Sequence, residues 1–225
     1  MKRKFIFLCA ALLAGLLALH GQDQQTQNSV PTITFDRVWE AATPQSINFV
    51  LQETGSVHYL SRNPFDVPDN RAVDPDYTVD FTMSSGNLAK IFRDANEANF
   101  FHGDFNFKKH VVSSTGKKTL SYTDATRQFE TTYDYSDNKA IQEITNIFQG
   151  ISNTIEHGRK LQSMHRFDKL GLDSELKGME NAMESHNLAE LQLIAPTLKS
   201  IAEDPAIMHI ARQRAQKLLA KASSE

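Results

Sequence analysis

Ser46-Ile47-Asn48-Phe49-Val50-Leu51-Gln52-Glu53-Thr54-Gly55-Ser56-Val57-His58-Tyr59-Leu60-Ser61 is the stretch on which the fold turns. Ile47, Phe49 and Leu51 alternate with Asn48, Val50 and Gln52, the period of two expected of a strand with one buried face. Thr54-Gly55 supplies a turn, and Val57 and Tyr59 resume the pattern beside His58 and Leu60. Residues 46–61 therefore predict a β-hairpin. On its N-terminal side Ile33, Phe35, Val38 and Trp39 open an apolar segment. On its C-terminal side residues 62–76 hold three prolines and the four aspartates Asp66, Asp69, Asp74 and Asp76, a composition that predicts a surface loop.

Further along, Tyr77, Val79 and Phe81 alternate with polar partners as a third strand. Ser84 or Ser85 caps a helix whose Leu88, Ile91, Phe92 and Ala95 fall on one stripe, and which stops near Asn96 to Asn99. Phe100, Phe101, Phe105 and Phe107 read as core filling where the helix returns to the sheet. Residues 117–123 and 128–135 flank Asp124-Ala125-Thr126-Arg127 as a second hairpin. Beyond Ser136-Asp137 the spacing becomes helical at Ile141, Ile144, Phe148, Ile151 and Ile155. Gly158 suggests a bend and residues 167–171 a break. Leu172, Leu176, Met179 and Met183 form another stripe. Pro205 suits the first turn of a last helix that carries Ile207, Ile210, Leu218 and Leu219 inward. The fold class read from these patterns is α+β: a mainly antiparallel sheet with one packed helix, followed by a C-terminal all-helical bundle.

Met1-Lys2-Arg3-Lys4 and the apolar run Phe5 to Leu19 have the plan of a secretory signal. The run is short of the ~20 residues that a membrane-spanning helix needs, so cleavage after Gly21 is expected, with no permanent membrane span left behind. Residues 1–21 are then a signal peptide, 22–31 a flexible leader rich in Gln, Asn, Ser and Thr, 32–157 an α+β domain and 158–225 a helical region. The destination is periplasmic or secreted. Cys9, the one cysteine, sits inside the apolar run. The exported chain would have no thiol, which excludes disulfides, cysteine nucleophiles and thiolate metal sites. Removing Lys2, Arg3 and Lys4 leaves 21 Lys and Arg against 27 Asp and Glu, a net charge of −6. Without a basic block, nucleic acid is not an expected partner.

No pattern of catalytic residues stands out. The acidic loop lacks the glycine and glutamate of a helical-hairpin calcium site. The histidines at 58, 102, 110, 157, 165, 186 and 209 include no pair four or fewer residues apart, so no metal and no other cofactor is expected. There is no G-x-S-x-G elbow, no P-loop and no G-x-G-x-x-G, and Ser113-Ser114-Thr115-Gly116 reads as a hairpin tip. The aromatic strand residues are the feature above background. Core packing accounts for most of them. Tyr122, Phe129, Tyr133 and Tyr135 are the candidate interaction surface, because tyrosine presents a large apolar body with a polar tip.

The order of hairpin, strand, helix ending in Ala98-Asn99-Phe100-Phe101, and hairpin containing Thr119-Leu120-Ser121-Tyr122 resembles several exported bacterial proteins. It also distantly resembles emfourin-type inhibitors of secreted metalloproteases, over residues 46–155. The resemblance implies a binding or inhibitory role and carries over no functional residue. The expected function is a non-catalytic binding or inhibitory module acting on another exported protein. An envelope hydrolase without a recognisable motif and a structural envelope protein acting through its helical tail are the alternatives.

Overall fold

The computed structural model describes residues 30–63 and 76–223. The signal segment, the leader up to residue 29 and the loop residues Asp66, Asp69 and Asp74 lie outside the described residues. The six strands are β1 (Thr32–Val38), β2 (Ser46–Gln52), β3 (Ser56–Arg62), β4 (Tyr77–Thr82), β5 (Lys117–Thr123) and β6 (Gln128–Tyr133). They form one sheet in the order β4-β3-β2-β1-β5-β6, with every neighbouring pair antiparallel. The apolar segment at 33–38 is thus β1, an interior strand flanked by both hairpins.

Because side chains alternate along a strand, the register turns single residues into rows across the sheet. One row on the core face runs Phe81, Val57, Leu51, Ile33, Tyr122, Phe129. The next runs Val79, Tyr59, Phe49, Phe35, Leu120, Thr131. Both are largely apolar and bury Ile33, Phe35, Phe49, Leu51 and Leu120 completely. The third row, Tyr77, Ser61, Ile47, Arg37, Lys118, Tyr133, is mixed, and two of its central members are cations. The opposite face carries Thr34, Asp36, Asn48, His58, Thr119 and Ser121, which are half-buried or exposed.

Two helices cover the apolar rows. Helix α1 (Ser85–Glu97) is capped by Ser84, whose side chain accepts from the Asn87 amide, and it buries Ile91 and Ala95. Helix α2 (Lys139–Phe167) is capped by Asn138, whose Oδ1 accepts from Ile141 N at 3.1 Å. Its first half sets Ile141, Ile144, Phe148, Ile151 and Ile155 on the sheet. Phe148 stacks on Phe35 with ring centroids 5.1 Å apart and planes 6° from parallel, and sits 5.1 Å from Phe49. Aromatic contacts of this kind add about 1 kcal/mol each beyond burial.

The second half of α2 belongs to another core. Leu161 packs with Leu172, Leu176 and Met179 of α3 (Leu172–Glu184), Leu198 and Ile201 of α4 (Ala195–Glu203), and Ala211, Ala215 and Leu218 of α5 (His209–Ala222). Gly158 lies within α2, and a Cβ there would collide with Ile194 Cγ2. Its smallness serves a close approach of the chain at 191–194. The last helix starts later than Pro205 suggests. Asp204 Oδ1 accepts from Ala206 N at 2.8 Å and the Asp204 carbonyl from Ile207 N at 3.1 Å, closing a turn before the helix begins. The inward stripe of α5 is consequently Ala211, Ala215, Leu218 and Ala222, while Ile210 is exposed.

Candidate functional site

At Arg37 and Lys118 the strand alternation turns charges inward. Arg37 shares the parity of Ile33 and Phe35, and Lys118 that of Leu120 and Tyr122, and they are register partners. Arg37 is 9 % and Lys118 3 % exposed. Charged side chains are rarely buried so far without a counter-charge, yet among the described residues neither forms an ion pair. Lys118 Nζ instead donates to oxygens of the chain: Thr115 O at 3.1 Å, Thr115 Oγ1 at 2.8 Å, Gly116 O at 2.9 Å and Asp134 O at 2.7 Å. The ammonium ties the run into β5 to the end of β6. Residues 113–116 are therefore the approach to β5 rather than a hairpin tip.

Arg37 is less well provided for. Its Nη2 donates to Pro44 O at 2.7 Å, and its Nε is buried with no acceptor among the described residues. Burial depresses the pKa of both groups. Lys118 falls to about 8, helped down by the neighbouring Arg37 and held up by Asp134. For Arg37, Tyr59 and Glu156 oppose the lowering.

These two cations line a cavity of about 310 Å³. Trp39, Tyr133 and Tyr135 supply its aromatic wall, and Gln142, Asn146 and Gln149 its α2 side. Tyr133 shares a hydrogen bond of 2.6 Å with Thr145 Oγ1, and the Tyr135 hydroxyl accepts from Gln142 Nε2 at 3.2 Å. Gly116, at φ +88°, fits against Trp39, where a Cβ would collide. The positive φ and the close contact both require glycine there.

A wider cavity of about 590 Å³ lies against the outer half of α2, among Glu156, His157, Arg159, Lys160 and Glu175. Its charges are matched internally. Glu156 accepts from Arg159 at 2.8 Å, and Glu175 meets both His157, at 2.6 Å, and Lys160. Glu156 also accepts from the Tyr59 and Ser61 hydroxyls at 2.9 Å each. Because the Tyr59 hydroxyl donates to Glu156, it accepts from Ser152 Oγ, 3.0 Å away. Size favours this second cavity, but the net positive charge of Arg37 and Lys118 against Asp134 favours the first, and charge decides which one attracts a ligand.

The four candidate surface residues divide into two pairs. Tyr133 and Tyr135 meet at the cavity. Tyr122 and Phe129 are register partners at the other end of the hairpin, near the 124–127 turn. There Tyr122 is buried 4.6 Å from Phe100, with the Arg127 guanidinium 3.8 Å above the Phe100 ring, and Phe129 is half-buried 4.6 Å from His102. His58 binds Asp80 at 2.7 Å on the open face of the sheet, and His110 packs on Phe107. None of these histidines lines the cationic cavity. Among the described residues no three His, Cys, Asp or Glu side chains converge as metal ligands, and no helix is long and apolar enough to cross a membrane.

Arg37 and Lys118 escaped the motif search because neither belongs to a motif. The signal for them was a charge at an inward position of a strand, legible once the parity of Ile33-Phe35 and Leu120-Tyr122 is extended by one step. No protein-family model matches the chain, nor does any curated protein match it in sequence.

Proposed function

We propose that this chain is an exported, non-catalytic binding protein that receives part of another exported protein at the Arg37–Lys118 cavity. The observation that carries the reading is the buried guanidinium of Arg37, which among the described residues has no acceptor for its Nε and forms no ion pair. Holding a charge in this way costs stability. An anionic group from a partner would compensate it, and the cavity admits such a group. The aromatic wall suits the same purpose, since Trp and Tyr bury area at little entropic cost. The signal-like N-terminus supports export.

The test is capture with residues from Gln22 onward as bait, against the proteins exported by the source organism, using wild type and Arg37→Gln side by side. The expected result is one stoichiometric partner held by the wild type and released by the variant. A partner held equally by both would place binding elsewhere, and no partner at any salt concentration would end the reading.

A further inference from the structure

Site charge and shape narrow the ligand. Arg37 and Lys118 bring two positive charges, and the Asp134 carboxylate, which accepts from Thr115 N at 2.9 Å and acts on Lys118, brings one negative charge. Glu156, the other carboxylate acting on Arg37, is already neutralised by Arg159. One net positive charge remains, which matches a monoanion and leaves a dianion such as phosphate overcharged. The donor is a planar guanidinium, a shape that suits carboxylate oxygens, and with its Nε shut off from solvent and one Nη2 proton on Pro44 O, the remaining Nη protons are the ones that can meet a ligand. Lys118 supplies field rather than bonds, because its three protons already serve four oxygens. A cavity of about 310 Å³ has room for one residue-sized group against Trp39 and Tyr135, with the Asn146 and Gln149 amides beside it.

We propose that the Arg37–Lys118 cavity binds a peptide carboxylate, with Arg37 as the direct ligand and Trp39 packing on the residue that carries it. This rests on the reading of that cavity as the binding site. The carboxylate can be a chain terminus or an acidic side chain, and probes of both kinds separate the two.

Trp39 is the one tryptophan in the chain, so tryptophan emission reads the cavity without a label. The intact protein from Gln22 onward is titrated with N-acetyl-alanyl-alanine, with its C-terminal amide, with N-acetyl-glutamic acid α-amide, which bears only the side-chain carboxylate, and with inorganic phosphate. The expected result is a saturable change in Trp39 emission with at least one carboxylate probe, bound at least about tenfold more tightly than the uncharged amide, as the loss of a charge-assisted pair implies. Phosphate should bind more weakly than that probe. Arg37→Lys, which keeps the charge and loses the planar guanidinium, should weaken the carboxylate probe and leave the amide unchanged. If that variant does not fold, the acid and amide comparison on the wild type decides alone. Equal binding of acid and amide, tighter binding of phosphate, or no response to either carboxylate up to about 10 mM overturns the inference. Capture of a partner that depends on Arg37, with acid and amide indistinguishable, would sink the carboxylate and spare the binding reading. Acid-selective binding with no captured partner would do the opposite.

Discussion

Lys118 shows how much one buried side chain decides. Its ordinary pKa near 10.5 falls to about 8, chiefly through burial. Between those pH values the unfolded chain binds more protons than the folded one, so stability from this group rises with pH across the window. Below about pH 8 the cost is fully present. A shift of this size corresponds to roughly 3 kcal/mol. Lys118→Met keeps the apolar stem and removes the titration. Urea midpoints of wild type and variant, measured from pH 7 to 10, should diverge in favour of the wild type as pH rises. Parallel curves would mean that Lys118 titrates as an exposed lysine does. The inward parity of Lys118 was legible in the alternation of β5. Its four oxygen partners were not, because three depend on how the chain at Thr115 and Gly116 folds back on Lys118 and the fourth, Asp134 O, is brought in by the pairing of β5 with β6.

At the scale of elements, α1 depends on a residue more than a hundred positions away. Glu190, 1 % exposed and left-handed at φ 56°, accepts from Ser84 N at 3.0 Å, Ser84 Oγ at 2.6 Å and Asn87 Nδ2 at 2.7 Å. A carboxylate in that position satisfies open amide groups and complements the positive end of the helix. Glu190→Gln should cost about 1–3 kcal/mol, read as a lowered urea midpoint at unchanged slope. A change within a few tenths of wild type would show that Ser84 alone suffices. The Ser84 cap, the stripe of α1 and the alternation of β2 and β3 follow from local periodicity and were all legible. The Glu190 contact was not, since nothing near residue 190 marks it as a cap for residue 84.

For the whole molecule, α2 makes the sheet and the helical tail depend on each other. One face of its first half lies in the sheet core and Leu161 in the tail core. Ala189 and Leu193 of the tail pack on the sheet cluster, and Glu190 holds α1. A chain ending at Phe167 would expose the Leu161 and Gly158 faces of α2 and the start of α1. Residues 22–167 should therefore aggregate or melt without a cooperative transition, as seen by size-exclusion chromatography and circular dichroism. A monomeric fragment with the melting temperature of the full chain would show that the tail is a separate unit and would revive an interaction role for the helices alone.

The sequence by itself determined the α+β class, both hairpins, the strand at 77–82, the cap and stripe of α1, and the helical character beyond residue 138, because each rests on a period of two or 3.6 within one stretch of chain. Only the tertiary structure decided which charges are buried, that Tyr133 and Tyr135 share a cavity while Tyr122 and Phe129 lie at the far end of their hairpin, and that the tail caps the domain. Those outcomes depend on strand register and on helices crossing the sheet, which join residues far apart in sequence and leave no local period to read.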